Sequence, residues 1–82
     1  MKLFVSNLSF NTDNEDLFRI FGVHGLVASV NIIRDKFTNR SRGFGFVHMD
    51  NNEAGLLAIQ QLHNTKLKGQ SIVVKRTNIY KS

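Results

Sequence analysis

The feature that most narrows the possible folds is the stretch RGFGFVHM, Arg42 to Met49. Side chains of an extended strand alternate between faces. Gly43, Gly45, Val47 and Met49 therefore share one face, and Phe44, Phe46 and His48 share the other. Glycine weakens a strand interior, and phenylalanine is ordinarily buried. A strand built this way suits a sheet whose two faces do different work. The glycine face is expected to lie under helices, where small residues permit close packing, and the rings to stand where no helix covers them.

The flanking patterns supply such a sheet. KLFVSN, residues 2–7, alternates with period two, with Leu3 and Val5 on one face and Lys2, Phe4 and Ser6 on the other. TDNE at 12–15 reads as a capping box with Thr12 as N-cap, and Asp13, Glu15 and Asp16 suit the positive end of a helix dipole. Leu17, Ile20, Phe21 and His24 recur at helical spacing until Gly25, where the helix is expected to end. VASVNII, residues 27–33, reads as a strand with Val30 and Ile32 on one face and Ser29, Asn31 and Ile33 on the other. A basic loop over 34–42 leads into the strand 43–49. Gly55, Ala58, Ile59 and Leu62 place a second helix over Asn52–His63. LKGQSIVVKR closes as a turn and a fourth strand, with Ile72 and Val74 facing inward. Phe10 and Leu67 are expected in the core, while Phe18 and Leu56 fall on the outer sides of their helices. The order strand, helix, strand, strand, helix, strand is the α+β, ferredoxin-like split βαβ arrangement: a four-stranded antiparallel sheet with two helices on one face.

Eighty-two residues allow one modest core. Cysteine is absent, which excludes a disulfide framework and cysteine-based metal sites. No apolar run is long enough to cross a membrane. MKLFVSNLSF makes a poor signal peptide, and a cytoplasmic location is expected. The formal net charge is +5, and its excess is confined to residues 34–42 (+3) and residues 66–82 (+5). Two basic segments of this kind suit a polyanionic partner. His24, His48 and His63 show no spacing that would gather them around a metal, and no cofactor is expected.

Phe4, Phe44 and Phe46 would share the uncovered face, flanked by cations. Flat rings stack on nucleobases, and single-stranded RNA offers splayed bases beside phosphates. LFVSNL, Leu3 to Leu8, resembles the hexamer motif of the RNA-recognition motif family. RGFGFVHM resembles its octamer, [KR]-G-[FY]-[GA]-[FY]-V-x-[FY]. The likeness extends through RDKFTNRSRGFGFV and LKGQSIVV to nearly the whole chain. It implies base-stacking roles for Phe4 and Phe44, a sugar or inter-nucleotide contact for Phe46, and a phosphate contact for Arg42. Face alternation adds Lys2, Ser6, Ser29, Asn31, His48 and Lys75 as polar neighbours. Arg76 and Asn78 in the tail, and Arg40 in the basic loop, complete the expected RNA-contacting set.

The domain is expected over residues 1–77, with a short basic tail at 78–82. If the chain is whole, it resembles small single-domain bacterial members of the family. Departures from the motif are Met49 for the last aromatic of the octamer, His24 for an aromatic, Asn39 and Asn64 for glycines, and Gly55 for an alanine. A non-enzymatic, monomeric single-stranded RNA-binding module is expected. Single-stranded DNA binding and a protein-binding role for the same fold are the alternatives, with Phe18 as a candidate protein contact. An acylphosphatase-like hydrolase would need an arginine in the first loop, and SNLSFNTDNED has none. The sequence leaves the roles of Phe37 and Tyr80 open.

Overall fold

The structure is a computed structural model and describes residues 1–77. Its elements are β1 (Lys2–Ser6), α1 (Asn14–Gly22), β2 (Val27–Arg34), β3 (Ser41–Met49), α2 (Asn52–Leu62), β4 (Lys66–Leu67), β5 (Gln70–Ser71) and β6 (Val73–Arg76). The main sheet has the order β2-β3-β1-β6, with every pair antiparallel. β4 and β5 form a separate two-stranded ribbon, which replaces the simple turn expected before the last strand.

Alternation sorts the sheet as its sequence implies. Leu3, Val5, Ile32, Val47, Met49 and Val74 are buried, together with Leu17 and Phe21 from α1 and Ala54 and Ala58 from α2. Each fully buried large aliphatic or aromatic side chain contributes about 1.5–3 kcal/mol. Burying Met49 explains why the octamer's final position tolerates a non-aromatic residue. Phe21 is the one phenylalanine in this core. Phe10 is not in it: its ring is 80% exposed in the β1–α1 loop. Leu67 packs against the core from β4.

The first helix starts one residue later than expected. Asp13 is the N-cap, its Oδ1 accepting from Asp16 N–H at 3.0 Å while Asp16 Oδ2 accepts from Asp13 N–H at 3.0 Å. Thr12 is buried instead. The helix ends at Gly22, with Val23 as C-cap, rather than at Gly25. Gly25 lies against Ala54 of α2, so its small size serves helix packing. α2 spans Asn52–Leu62, capped by Asn51 through Ala54 N–H.

The glycines of β3 have a different reason from the one expected. A Cβ on Gly45 would stand 2.7 Å from Asn31 O and 2.8 Å from Ile32 Cα, so its absence admits the backbone of β2, not a helix. Gly43 has φ +85°, a conformation that L side chains rarely adopt. It sits where the β2–β3 register shifts between Ile32 and Arg34. Asn39 and Asn64, at φ 61° and 68°, hold the left-handed turns that glycine would otherwise serve.

Both edges of the sheet have a backbone donor taken by a side chain. On β2, Ile32 N–H donates to Asn14 Oδ1 at 3.3 Å. On β6, Val74 N–H donates to His63 Nδ1 at 3.1 Å.

Candidate nucleic-acid interface

The face away from the helices is organised by strand register. Lys75, Phe4, Phe46 and Asn31 lie opposite one another in turn, forming one row across β6, β1, β3 and β2. Ser6 stands opposite Phe44, and Lys2 opposite His48, which in turn pairs with Ser29. The register therefore gathers onto one face eight residues that the sequence assigns to RNA: Lys2, Phe4, Ser6, Asn31, Phe44, Phe46, His48 and Lys75. Ser29, expected at base edges, joins them.

Phe4 is the centre of a three-ring cluster. Its centroid is 5.7 Å from that of Phe44, with planes tilted by 45°, and 5.6 Å from that of Phe46, tilted by 54°. Such tilted pairs are favourable between ring edges and faces. They hold the rings half-buried by one another with the sheet behind them. Lys2 Nζ lies 4.7 Å from the Phe46 centroid, a cation–π distance. Beside Phe46 a recess of about 330 Å³ is lined by Lys2, Ser29, Asn31, Phe46 and His48. Hydroxyl, amide, imidazole and ammonium groups converge there next to a ring, offering donors and acceptors to the edge of a flat heterocycle.

The basic loop is a built turn. Asp35 Oδ1 accepts from Phe37 N–H at 2.8 Å and Thr38 N–H at 3.0 Å, and Asp35 N–H donates to Arg40 O at 2.8 Å. The Thr38 and Phe37 N–H groups, with the nearby Arg42 guanidinium, hold the Asp35 carboxyl below its ordinary range. The acid of this segment thus closes the turn, while Arg40 and Arg42 remain exposed. Phe37 stands on the loop with its ring 89% exposed.

Arg76 is placed differently from the expectation. It pairs with Leu3, whose side chain faces the core, so the same alternation directs Arg76 to the helix side of the sheet's edge. Asn78 and Tyr80 lie outside the described residues. Phe18 borders a shallow hollow with Asn14, Glu15 and Arg19 on α1. Among the described residues, no three histidine, cysteine or acidic side chains gather as a metal site. Phe10 and Arg34, absent from the expected set, line a second basic concavity with Arg40. The available signal for Phe10 was a ring set in a run of polar loop residues.

The pattern of the RNA recognition motif matches residues 3–73. The chain belongs to the RNA recognition motif family. The motif chain is 37% identical over 76 residues to the Nostoc sp. RNA-binding protein RbpE, covering 93% of this chain and 77% of RbpE. It is also 45% identical over 74 residues to the chloroplastic 29 kDa ribonucleoprotein of Arabidopsis thaliana, covering 90% of this chain. The motif spans only 22% of that relative's length. Among solved structures it superposes on RNA Binding Protein PG1 with a TM-score of 0.93 at 34% identity, covering 100% of this chain and 99% of the other. On the Sex-lethal protein/RNA complex the TM-score is 0.85 at 37% identity, covering 90% and 46% of the two chains.

Proposed function

We propose that this chain is a single-stranded RNA-binding module in which Phe4 and Phe44 stack bases. Phe46 packs against the intervening sugar or nucleotide, and Arg42 and Arg40 meet phosphates. The observation that carries this is the three-ring cluster on a sheet face that no helix covers, with the polar recess of Lys2, Ser29, Asn31 and His48 at its side. Family membership and the likeness to a protein solved with RNA support the same partner. The role is binding, and the rings supply affinity with little dependence on base identity, since every base has a π-face. Base preference is assigned to the recess beside Phe46.

The test is a titration with a degenerate pool of single-stranded RNA, followed by backbone amide NMR shifts at two salt concentrations. Shifts should concentrate on Phe4, Arg42, Phe44 and Phe46 and weaken with salt. Phe44→Ala should lower affinity by about tenfold or more, from the roughly 1–3 kcal/mol of one stacked base. Shifts elsewhere, or none at low salt, would remove this reading and favour a protein partner for the aromatic face. The matching DNA pool should bind within a few-fold of RNA if stacking and phosphate contacts dominate.

A further inference from the structure

The outer edge of β6 is lined by the loop that leaves α2. Asn64 N–H donates to Ile72 O at 2.8 Å, and Ile72 N–H donates to Thr65 O at 2.9 Å. Those two bonds join backbone to backbone. The next tie along the strand differs, because Val74 N–H goes to a side chain, His63 Nδ1, at 3.1 Å. His63 is the C-cap of α2, and its backbone has left the helix at φ −59° and ψ 128°. Residues 63–65 thus run beside β6 in place of a further strand, and an imidazole makes the last contact. That contact dictates the ring's state. Nδ1 accepts only while it carries no proton, so the ring is neutral with its hydrogen on Nε2. A second proton would turn both nitrogens into donors and set Nδ1 against Val74 N–H. Histidine ordinarily changes charge between about pH 5 and pH 8. His63 is exposed, so a proton reaches it with the domain folded.

Among the described residues, the elements around His63 offer a charged ring no free carboxylate. α2 packs on β6 and β3. Its last turn has no ionisable side chain, and its acid, Glu53, stands in the first turn. β6 contributes Arg76 on the helix side and Lys75 on the ring face. Alternation puts Arg42 and His48 of β3, and Lys2 of β1, on the ring face as well. The ribbon and its turn add Lys66 and Lys68, and Lys68 is held by Asp16, which also takes Arg19. We infer that His63 is an acid-released latch on the β6 edge. The neutral ring closes the edge at Val74, and the protonated ring frees that donor while the bonds of Asn64 and Thr65 stay in place. With the donor free, β6 presents an open edge at Val74, of the kind that templates pairing with another strand.

Amide NMR of the folded domain between about pH 8 and about pH 5 tests the latch. Hydrogen-exchange protection of Val74 N–H, corrected for the intrinsic pH dependence of exchange, should fall by about three- to tenfold, the scale of one hydrogen bond. The fall should track the His63 ring signals, while Asn64 and Ile72 N–H keep their protection. His63→Asn places a neutral amide oxygen at the same branch as Nδ1, so Val74 should stay protected at both ends of the range. His63→Ala should leave Val74 unprotected at both. Should His63→Ala not fold, the comparison with His63→Asn carries the test alone. A Val74 amide equally protected at both ends in the wild type would overturn the latch, as would a His63 ring that stays neutral throughout. The same loss in His63→Asn would assign the effect to another group, such as His24 or His48, and reject the latch as well.

Discussion

Thr12 is 1% exposed, and its hydroxyl has no hydrogen-bond partner among the described residues. An unpaired buried hydroxyl costs about 1–3 kcal/mol, whereas an apolar group of the same shape carries no such cost. Thr12→Val should therefore raise the melting temperature by several degrees, on the scale of about 4–8 °C per kcal/mol for a domain this small. A lower melting temperature would show that the hydroxyl is satisfied in solution. Three residues after the cap, Asp16 gathers Asp13 N–H at 3.0 Å, Lys68 Nζ at 3.1 Å and Arg19 Nη2 at 3.1 Å. The Asp13 N–H, then the Lys68 and Arg19 cations, lower its carboxyl from 3.8 to about 2. A carboxyl depressed in the folded state stabilises the fold above its unfolded value, and that contribution is lost as pH falls through its folded value. The wild type should thus lose roughly 1–2 kcal/mol between about pH 4 and pH 2 through this group. Asp16→Asn should be less stable at pH 7 and show a flatter acid limb in that window. Equal acid limbs in the two proteins would assign the loss to other carboxylates. The cap itself shows what local sequence leaves undecided. Thr12–Glu15 and Asp13–Asp16 both have capping-box spacing, and the burial of Thr12, a tertiary fact, selects the second.

At the scale of elements, the periodicities at two and at 3.6 residues are local properties, and the strands and helices of the main sheet follow them in order. β4 and β5 have two residues each, too few to display an alternation. The faces of Phe4, Phe44 and Phe46 were legible for the same reason the strands were. Arg76 was legible by the same rule once the strand is carried through it: two residues after the inward-facing Val74, it turns to the helix side, as its pairing with Leu3 shows. Phe10 lies in a loop, where no period tells inside from outside. The reason for Gly45 also belongs to a partner element, since the neighbour it admits is β2. Gly45→Ala should force β2 outward at Asn31 and Ile32, destabilising the domain by about 1–3 kcal/mol. Asn31 lines the recess beside Phe46, so the same substitution should shift the amide signals of Ser29 and Asn31 and weaken RNA binding. An unchanged denaturation midpoint would mean that the two strands part there without cost.

The whole molecule is a two-layer slab with principal extents of 36 × 31 × 17 Å. Its helices occupy one layer and its rings the outer surface of the other. With Arg40 and Arg42 as phosphate contacts, the slope of log affinity against log salt should be roughly −1.4 for a single strand. Arg42→Ala should make it shallower by about 0.7. A slope near zero would separate binding from charge and leave stacking alone. Open sheet edges are templates for pairing between copies. Here Asn14 and His63 each occupy a donor on one edge, so sedimentation of the free protein should report a monomer. β1 and β3 each carry core residues on one side and, on the other, residues that no helix covers. For heredity, this makes the two sets of positions separable. Codons for Phe4, Phe46 or Asn31 can drift toward a new target while those for Leu3, Val5 and Val47 stay as they are. An in-frame insertion of one codon within β1 would have no such freedom, because it would exchange the two sets downstream and forfeit folding and recognition together.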